Sequence, residues 1–354
     1  MSRLFQSKLT GRPNKIVTTN KRIIAVVGAV AVLTLTAACG SSSSGRGASS
    51  SGGGTINLVA FSTPQKAYDK LLPAFNATPA GVGVRLNGSY GPSGSQERAV
   101  ENGQPADIVE FSRSSDMAKL VAAGLVPSDW SSNQYKGIIT DSVATLIVRK
   151  GNPKNITTWD DLVKPGVQVV TPNPLSSGSA CWNLMAAYGA ELKEGKTAAQ
   201  ALAFVKELLQ HTVSLPDSGS DATAAFVGGT GDVLIGYENE AIEAEAAGDD
   251  VQYVTPKDTI LIENPIAVTS DATDATLDKS FVDYLYSDAG QKIFAEEGYR
   301  PAVKADLDAT KFPTLSGLFT IDSLGGWTKV NDEFFDSTNG SITKILNDLG
   351  HGAS

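Results

Sequence analysis

Alternating β-rich runs and helical patterns, enough length for two cores, and two β-rich stretches far apart in sequence predict an α/β fold in two lobes. The chain has 354 residues, 41% of them hydrophobic, and at roughly 100–200 residues per domain that length accommodates two bodies. Repeated strand-then-helix order favours mostly parallel sheets with helices on both faces. The stretches Thr140–Val148 and Thr259–Val268 read as paired crossovers: the chain leaves one lobe, builds the other and returns.

The elements follow in order. Ile56–Phe61 reads as a strand, 65–75 as a helix with Pro73 near its end, and Val82–Asn87 as a strand. A helix over 96–101, a strand over 107–111 and a helix over 114–123 come next. In the second lobe Val167–Val170 is a strand, and a helix begins near Ser179. Ala201, Leu202, Val205, Leu208 and Leu209 recur at helical spacing, which marks an amphipathic helix, and Asp232–Tyr237 is another strand. The expected division is 55–143 and 259–354 in lobe one and 144–258 in lobe two.

The N-terminus stands outside that fold. Six basic residues, from Arg3 to Arg22, precede an apolar run from Ile23 to Leu35, and no acidic residue occurs before Cys39. This is the pattern of a secretory signal over 1–38, and the run is too short to span a bilayer comfortably. Leu35-Thr36-Ala37-Ala38-Cys39 resembles a bacterial lipobox, which would make Cys39 the lipid-modified first residue. Residues 39–54 then form a Gly/Ser tether, with an r.m.s. reach of roughly 20 Å. The expected location is the outer face of the cell membrane.

Removing the signal takes six basic residues with it, leaving 23 basic against 38 acidic and a net charge of −15. So acidic a body is a poor partner for nucleic acid. A bound anion must be held by local geometry rather than by the global field. With Cys39 lipidated, Cys181 has no disulfide partner.

Four places share one pattern: a strand ends, small residues follow, and a helix begins. They are Phe61-Ser62-Thr63-Pro64, Gly91-Pro92-Ser93-Gly94-Ser95, Ser176-Ser177-Gly178-Ser179 and Asp217-Ser218-Gly219-Ser220-Asp221. Helix N-termini present unpaired N–H groups and partial positive charge, small residues admit close approach, and serine hydroxyls add donors. Any one alone is an ordinary cap or turn. In open α/β sheets, however, ligands gather beyond the carboxyl ends of strands.

Enzyme chemistry finds little support. His211 ends a helix and His351 lies in the tail, too few for a nucleophilic triad. Gly228-Gly229-Thr230-Gly231-Asp232 lacks the lysine of a phosphate loop. Glu238, Glu240, Glu243 and Glu245 read as a solvated helix face, Cys181 as a packed thiol, and Trp327, Phe334 and Phe335 as packing aromatics. No metal, cofactor or catalytic residue is expected.

Specificity comes from longer runs. Val148-Arg149-Lys150-Gly151-Asn152-Pro153, Trp159-Asp160-Asp161-Leu162-Val163-Lys164-Pro165-Gly166-Val167 and Thr171-Pro172-Asn173-Pro174 precede the Ser176-Ser177-Gly178 turn. Gly231-Asp232-Val233-Leu234-Ile235-Gly236-Tyr237-Glu238-Asn239-Glu240, Gly298-Tyr299-Arg300-Pro301 and Leu318-Phe319-Thr320-Ile321-Asp322 with Gly325-Gly326-Trp327 follow. In order and spacing these resemble the sulfate-binding proteins of ABC transporters, over residues 55 to 330. The resemblance implies a type II periplasmic-binding-protein fold, with a dehydrated sulfate held between the lobes by neutral hydrogen bonds. It places ligand contacts on Ser62 and Ser93 with Gly94 in lobe one. In lobe two it places them on Ser177, Gly178, Ser179, Gly219, Ser220 and Tyr237.

The chain also departs from that pattern. Tyr237 stands for a Trp, Ser179 for a Gly, Ser62 for an Asp, and Cys181 and Ser220 for two Arg residues that would raise local positive potential. Sulfate is only an acceptor and suits a site of donors, whereas phosphate keeps a proton near neutrality and calls for a carboxylate such as Asp221. The resulting expectation is a monomeric lipoprotein, anchored through Cys39, that delivers sulfate or thiosulfate to an ABC permease. Molybdate or phosphate is the alternative ligand, and a surface ester hydrolase the alternative class.

Overall fold

A computed structural model describes residues 53–303 and 308–351. The expected signal, Cys39 and the tether as far as residue 52 lie outside the described residues. The order is β1 (Thr55–Phe61), α1 (Gln65–Asn76), β2 (Arg85–Gly91), α2 (Ser93–Glu101), β3 (Ile108–Glu110), α3 (Ser114–Ala122) and β4 (Ile138–Arg149). Then come β5 (Val169–Val170), α4 (Gly178–Lys193), α5 (Ala198–Gln210), β6 (Thr212–Ser214), α6 (Gly219–Val227), β7 (Val233–Tyr237), α7 (Glu238–Ala247) and β8 (Val251–Val254). The return carries β9 (Leu261–Val268), α8 (Ala275–Leu285), α9 (Asp288–Glu296), β10 (Arg300–Pro301), α10 (Gly326–Val330) and α11 (Ser341–Asp348).

The strands join in the order β2-β1-β3-β9-β4-β7-β5-β6. β1 runs parallel to β2 and β3, and β5 runs parallel to β6 and β7, so each half has the carboxyl ends of its parallel strands on one side. The predicted crossovers are β4 and β9. The first half of β4 pairs antiparallel with β9 from Ile138 to Val143, and its second half pairs with β7 and β8 from Ala144 to Arg149. One long strand therefore serves both halves of the sheet.

Four apolar clusters cover the faces. Leu58, Tyr68, Leu71, Phe75 and Phe281 pack on one face of the first half, and Val59, Val109, Phe111 and Leu120 on the other. The second half has Ile147, Phe226, Leu234 and Ala244 on one face. On its other face Trp182, Leu184, Val205 and Leu208 join Phe319, Trp327, Phe334, Ile342 and Leu346. The return segment, read as lobe one throughout 259–354, is thus divided: β9, α8 and α9 pack on the first half, and 319–346 packs on the second. The Trp327 ring lies edge-on to Trp182 of α4 at 4.6 Å, and the apolar stripe of α11 packs on α5 and on the 331–335 turn.

Two element starts differ from the reading by three residues. The strand expected at Val82–Asn87 begins at Arg85, because Gly81 and Gly83 (φ +72°) turn the chain and leave Val82 exposed. The helix expected over 96–101 begins at Ser93, since Pro92 at the N-cap needs no N–H there.

One buried group makes stability depend on pH. Asp278 on α8 is 1% exposed, and neither carboxylate oxygen has a hydrogen-bond partner. Burial, aided by the charges of Asp107 and Asp274, pushes its pKa up to about 7. The folded form then holds the proton more tightly than the unfolded chain, whose Asp titrates near ~3.9. Stability falls as pH rises between those values. Asp278→Asn is expected to change little in urea unfolding at pH 4 and to raise the midpoint at pH 8; equal midpoint shifts at both pH values would contradict this.

Candidate functional site

The turns after β1, β2, β3, β5, β6 and β7 meet where the two halves face each other. They meet there because strands within each half are parallel, so their carboxyl ends all point at the dividing line. Gly94 N–H, in the first turn of α2, donates to the Ser176 carbonyl at 3.0 Å. Ser220 N–H, in the first turn of α6, reaches Ser62 Oγ at 3.3 Å. Ser112 Oγ and the Tyr237 hydroxyl are 2.8 Å apart. Each of these bonds joins one half to the other.

Glycine is required at two of these approaches. A Cβ on Gly178 would lie 2.9 Å from Ser112 Oγ, and one on Gly219 would lie 2.8 Å from Glu240 Oε1 and 3.3 Å from Ser179 Oγ. The first-turn N–H groups of α4 and α6 have no intrahelical acceptor, and the starts of the two helices adjoin where Gly219 meets Ser179. Ser177 Oγ and Ser179 Oγ are 2.7 Å apart; one proton serves that bond, and the other hydroxyl remains a donor.

Ser93 differs from the expectation in one respect. Its hydroxyl donates to Asp116 Oδ2 at 2.8 Å and accepts from Ser112 N–H at 3.1 Å, so its single proton is committed and only its backbone N–H remains as a donor. Ser220 is exposed at the rim. Asp221 is exposed too, and its carboxylate accepts from Ser218 Oγ at 2.6 Å while its N–H donates back at 3.1 Å. It is a first-turn cap partner.

The Tyr237 ring is fully buried, and burial raises its pKa well above the usual phenol value, so the hydroxyl stays a donor. The expected solvated glutamate face of α7 is corrected at two positions. Glu238 is 1% exposed and takes Arg300 Nε and Nη2 at 2.6 and 3.0 Å. Glu240 is buried, accepts from Tyr237 N–H at 2.9 Å and Thr223 Oγ1 at 3.1 Å, and has its pKa raised by burial. Both face inward because α7 starts directly from β7. Glu243 is half-buried and pairs with Lys66 at 3.1 Å, and Glu245 is exposed.

Two neighbours escaped the sequence reading. Ser112 lies two residues past the end of β3, and its carbonyl accepts from Trp182 Nε1 at 2.7 Å and Asn264 Nδ2 at 3.1 Å. Arg113 is 9% exposed, and its Nη1 lies 3.1 Å from Cys181 Sγ. Burial works against its charge, but Asp116 outweighs burial and holds the guanidinium above its ordinary pKa. Phe111-Ser112-Arg113-Ser114 has the same strand-end pattern as the other turns; the intervening arginine hid it. The Cys181 thiol is pushed up to about 11 by burial and stays protonated.

Other clusters have local explanations. Asp160, Glu191 and Glu194 surround the Lys196 ammonium at 3.7, 2.7 and 3.3 Å, which supplies their cation. His211 Nδ1 lies 3.1 Å from the Val167 carbonyl. A cavity of about 460 Å³ lined by Ser62, Ser220, Glu240 and Glu243 opens at the edge of the convergence, whereas a larger one of about 850 Å³ beside Trp130, Tyr135 and Tyr286 lies away from it.

Known proteins share this arrangement. Residues 56–300 match the family model described as bacterial extracellular solute-binding protein. A sulfate-binding protein of Synechococcus elongatus is 40% identical over 88% of this chain and 92% of its own length. A thiosulfate-binding protein of Pseudomonas aeruginosa is 33% identical over 78% and 88%. Among solved structures, the sulfate-binding protein SubI from Mycobacterium tuberculosis H37Rv superposes with a TM-score of 0.77 at 47% identity, covering 80% of this chain and 99% of that one. Parallel strand ends converging on one cleft, two shared crossover strands and relatives matched along nearly their full length agree: the chain belongs to the bacterial extracellular solute-binding proteins.

Proposed function

We propose that the chain captures sulfate between its two halves and hands it to an ABC permease, without catalysis. The carrying observation is the character of the convergence: the N–H groups of Ser93, Gly178, Ser179 and Gly219, the Ser177–Ser179 hydroxyl pair and the Tyr237 phenol are all donors. Sulfate, fully ionised, accepts from every one. Phosphate would need an acceptor, and two of the nearby carboxylates are engaged: Asp221 in its cap, and both Glu240 oxygens with Tyr237 N–H and Thr223, while Glu243 pairs with Lys66 through Oε2. The ligand contacts on this reading are Ser62, Ser177, Gly178, Ser179, Gly219 and Tyr237, with Ser93 acting through its N–H, Ser220 at the rim, and Gly94 joining the halves through its bond to the Ser176 carbonyl.

The halves close by bending at β4 and β9, which excludes water and strengthens neutral donors. The lobes on this reading are 55–143 with β9 to β10, and 144–258 with 319–349. Anchorage through a lipid on Cys39, at the outer face of the membrane, is part of the same proposal. It is supported by the basic head, the apolar run and the Gly/Ser tether.

Titration calorimetry with sulfate, thiosulfate, molybdate and phosphate tests the ligand. Sulfate should bind most tightly, or share that place with thiosulfate; no heat with sulfate beside tight binding of another anion would refute the reading. Tyr237→Phe should weaken sulfate by about tenfold or more, the value of a hydrogen bond to a charged group.

A further inference from the structure

Cys181 stands near the start of α4, whose first turns hold no basic residue, so the turn at Gly178 carries no cation of its own. The place is filled from across the cleft. Arg113, at the N-cap of α3 on the first half, donates through Nη1 to Cys181 Sγ and to Asn331 Oδ1, both at 3.1 Å. Its guanidinium lies 5.5 Å from the centre of the Trp327 ring. On its own half, Nε and Nη2 hold Asp116 at 3.0 to 3.2 Å, and Asp116 in turn takes the Ser93 proton. The Arg113 stem also reaches behind the α4 turn, since a Cβ on Gly178 would lie 3.3 Å from its Cγ.

We propose that Arg113 is a positioning residue that latches the closed cleft, supplying from the first half the buried cation that position 181 lacks. The inference rests on the solute-binding reading above. Arg113 touches neighbouring side chains rather than the ligand, and it acts in two ways. Its charge adds to the partial positive end of α4 in a dry environment. Its bonds to Cys181 and Asn331 exist only while the halves are together, so they oppose opening and slow ligand escape. Affinity differences among variants of one interface lie mostly in the dissociation rate.

The test compares the parent protein, Arg113→Ala and the swap Arg113→Ala/Cys181→Arg. The swapped arginine approaches Asp116 from the α4 side, through the space that alanine vacates. In stopped-flow tryptophan fluorescence, Arg113→Ala should raise the sulfate dissociation rate by about tenfold or more with the association rate nearly unchanged, and the swap should recover most of the loss. A second measurement needs no anion: modification of Cys181 by an uncharged thiol reagent, read by peptide mapping, should quicken severalfold in Arg113→Ala. An unchanged Cys181 rate in folded Arg113→Ala overturns the latch, and so does a dissociation rate that the swap fails to improve. A parent that ignores sulfate while Cys181 still responds to the substitution would remove the sulfate reading and leave the latch standing.

Discussion

Gly178→Ala is expected to cost sulfate affinity about a hundredfold, while the fold stays as stable as before. The added methyl would meet Ser112 Oγ at 2.9 Å, Ser112 Cβ at 3.0 Å and Arg113 Cγ at 3.3 Å, all on the opposite half. Ser112 cannot retreat freely, because its N–H and carbonyl bond Ser93, Trp182 and Asn264. Overpacking of this kind costs on the order of 2–3 kcal/mol, which is about a hundredfold in a binding constant. Opening is expected to draw Ser112 and Arg113 away from the methyl, and alanine suits a helix better than glycine. Calorimetry and urea unfolding of one preparation separate the two effects. Parental affinity would show that closing does not bring Gly178 against Ser112, and a lowered unfolding midpoint would show that the contact belongs to the fold itself.

Arg300→Met should be the most damaging single change to stability. Arg300 on β10 holds Glu238 with two bonds of 2.6 and 3.0 Å, with exposures of 6% and 1%. Removing one member of a buried pair leaves an uncompensated charge and costs about 3–5 kcal/mol. β10 pairs with β4 at Asp141, and Glu238 opens α7 directly after Tyr237, so the loss loosens the bending strand and a ligand donor together. Glu238→Gln in the same chain should recover part of the cost, since the stranded carboxylate is gone. A cost below about 1 kcal/mol for Arg300→Met, the range of exposed pairs, would mean that water reaches the pair.

Much of this was legible in the sequence, for identifiable reasons. Strand–helix alternation gave the parallel halves, and the two long β-rich stretches became β4 and β9 because each must pass through both. The four small-residue turns were found because Ser, Gly and Pro mark helix starts directly. What stayed hidden depends on contacts distant in sequence. Nothing near Ser93 shows that its proton goes to Asp116, and nothing near Glu238 announces Arg300. Cys181 reads as a lost charge until Arg113 is seen beside it. Composition suggested a wet face for α7, yet its first turn is inside because it starts where a buried strand stops.

The placement of 319–346 on the second core alters the mechanics of the molecule. The chain passes between the halves three times, at β4, at β9 and again between β10 and Phe319. Two adjacent antiparallel strands resist shear but leave both bending and twisting soft. The third passage ends at Arg300 against β4 and at Phe319 against Thr259 and Leu261, and a further tie at these two places is expected to resist twist more than bend. The sheet thereby gains a preferred axis, and the donors on either side return to the same register each time the halves meet.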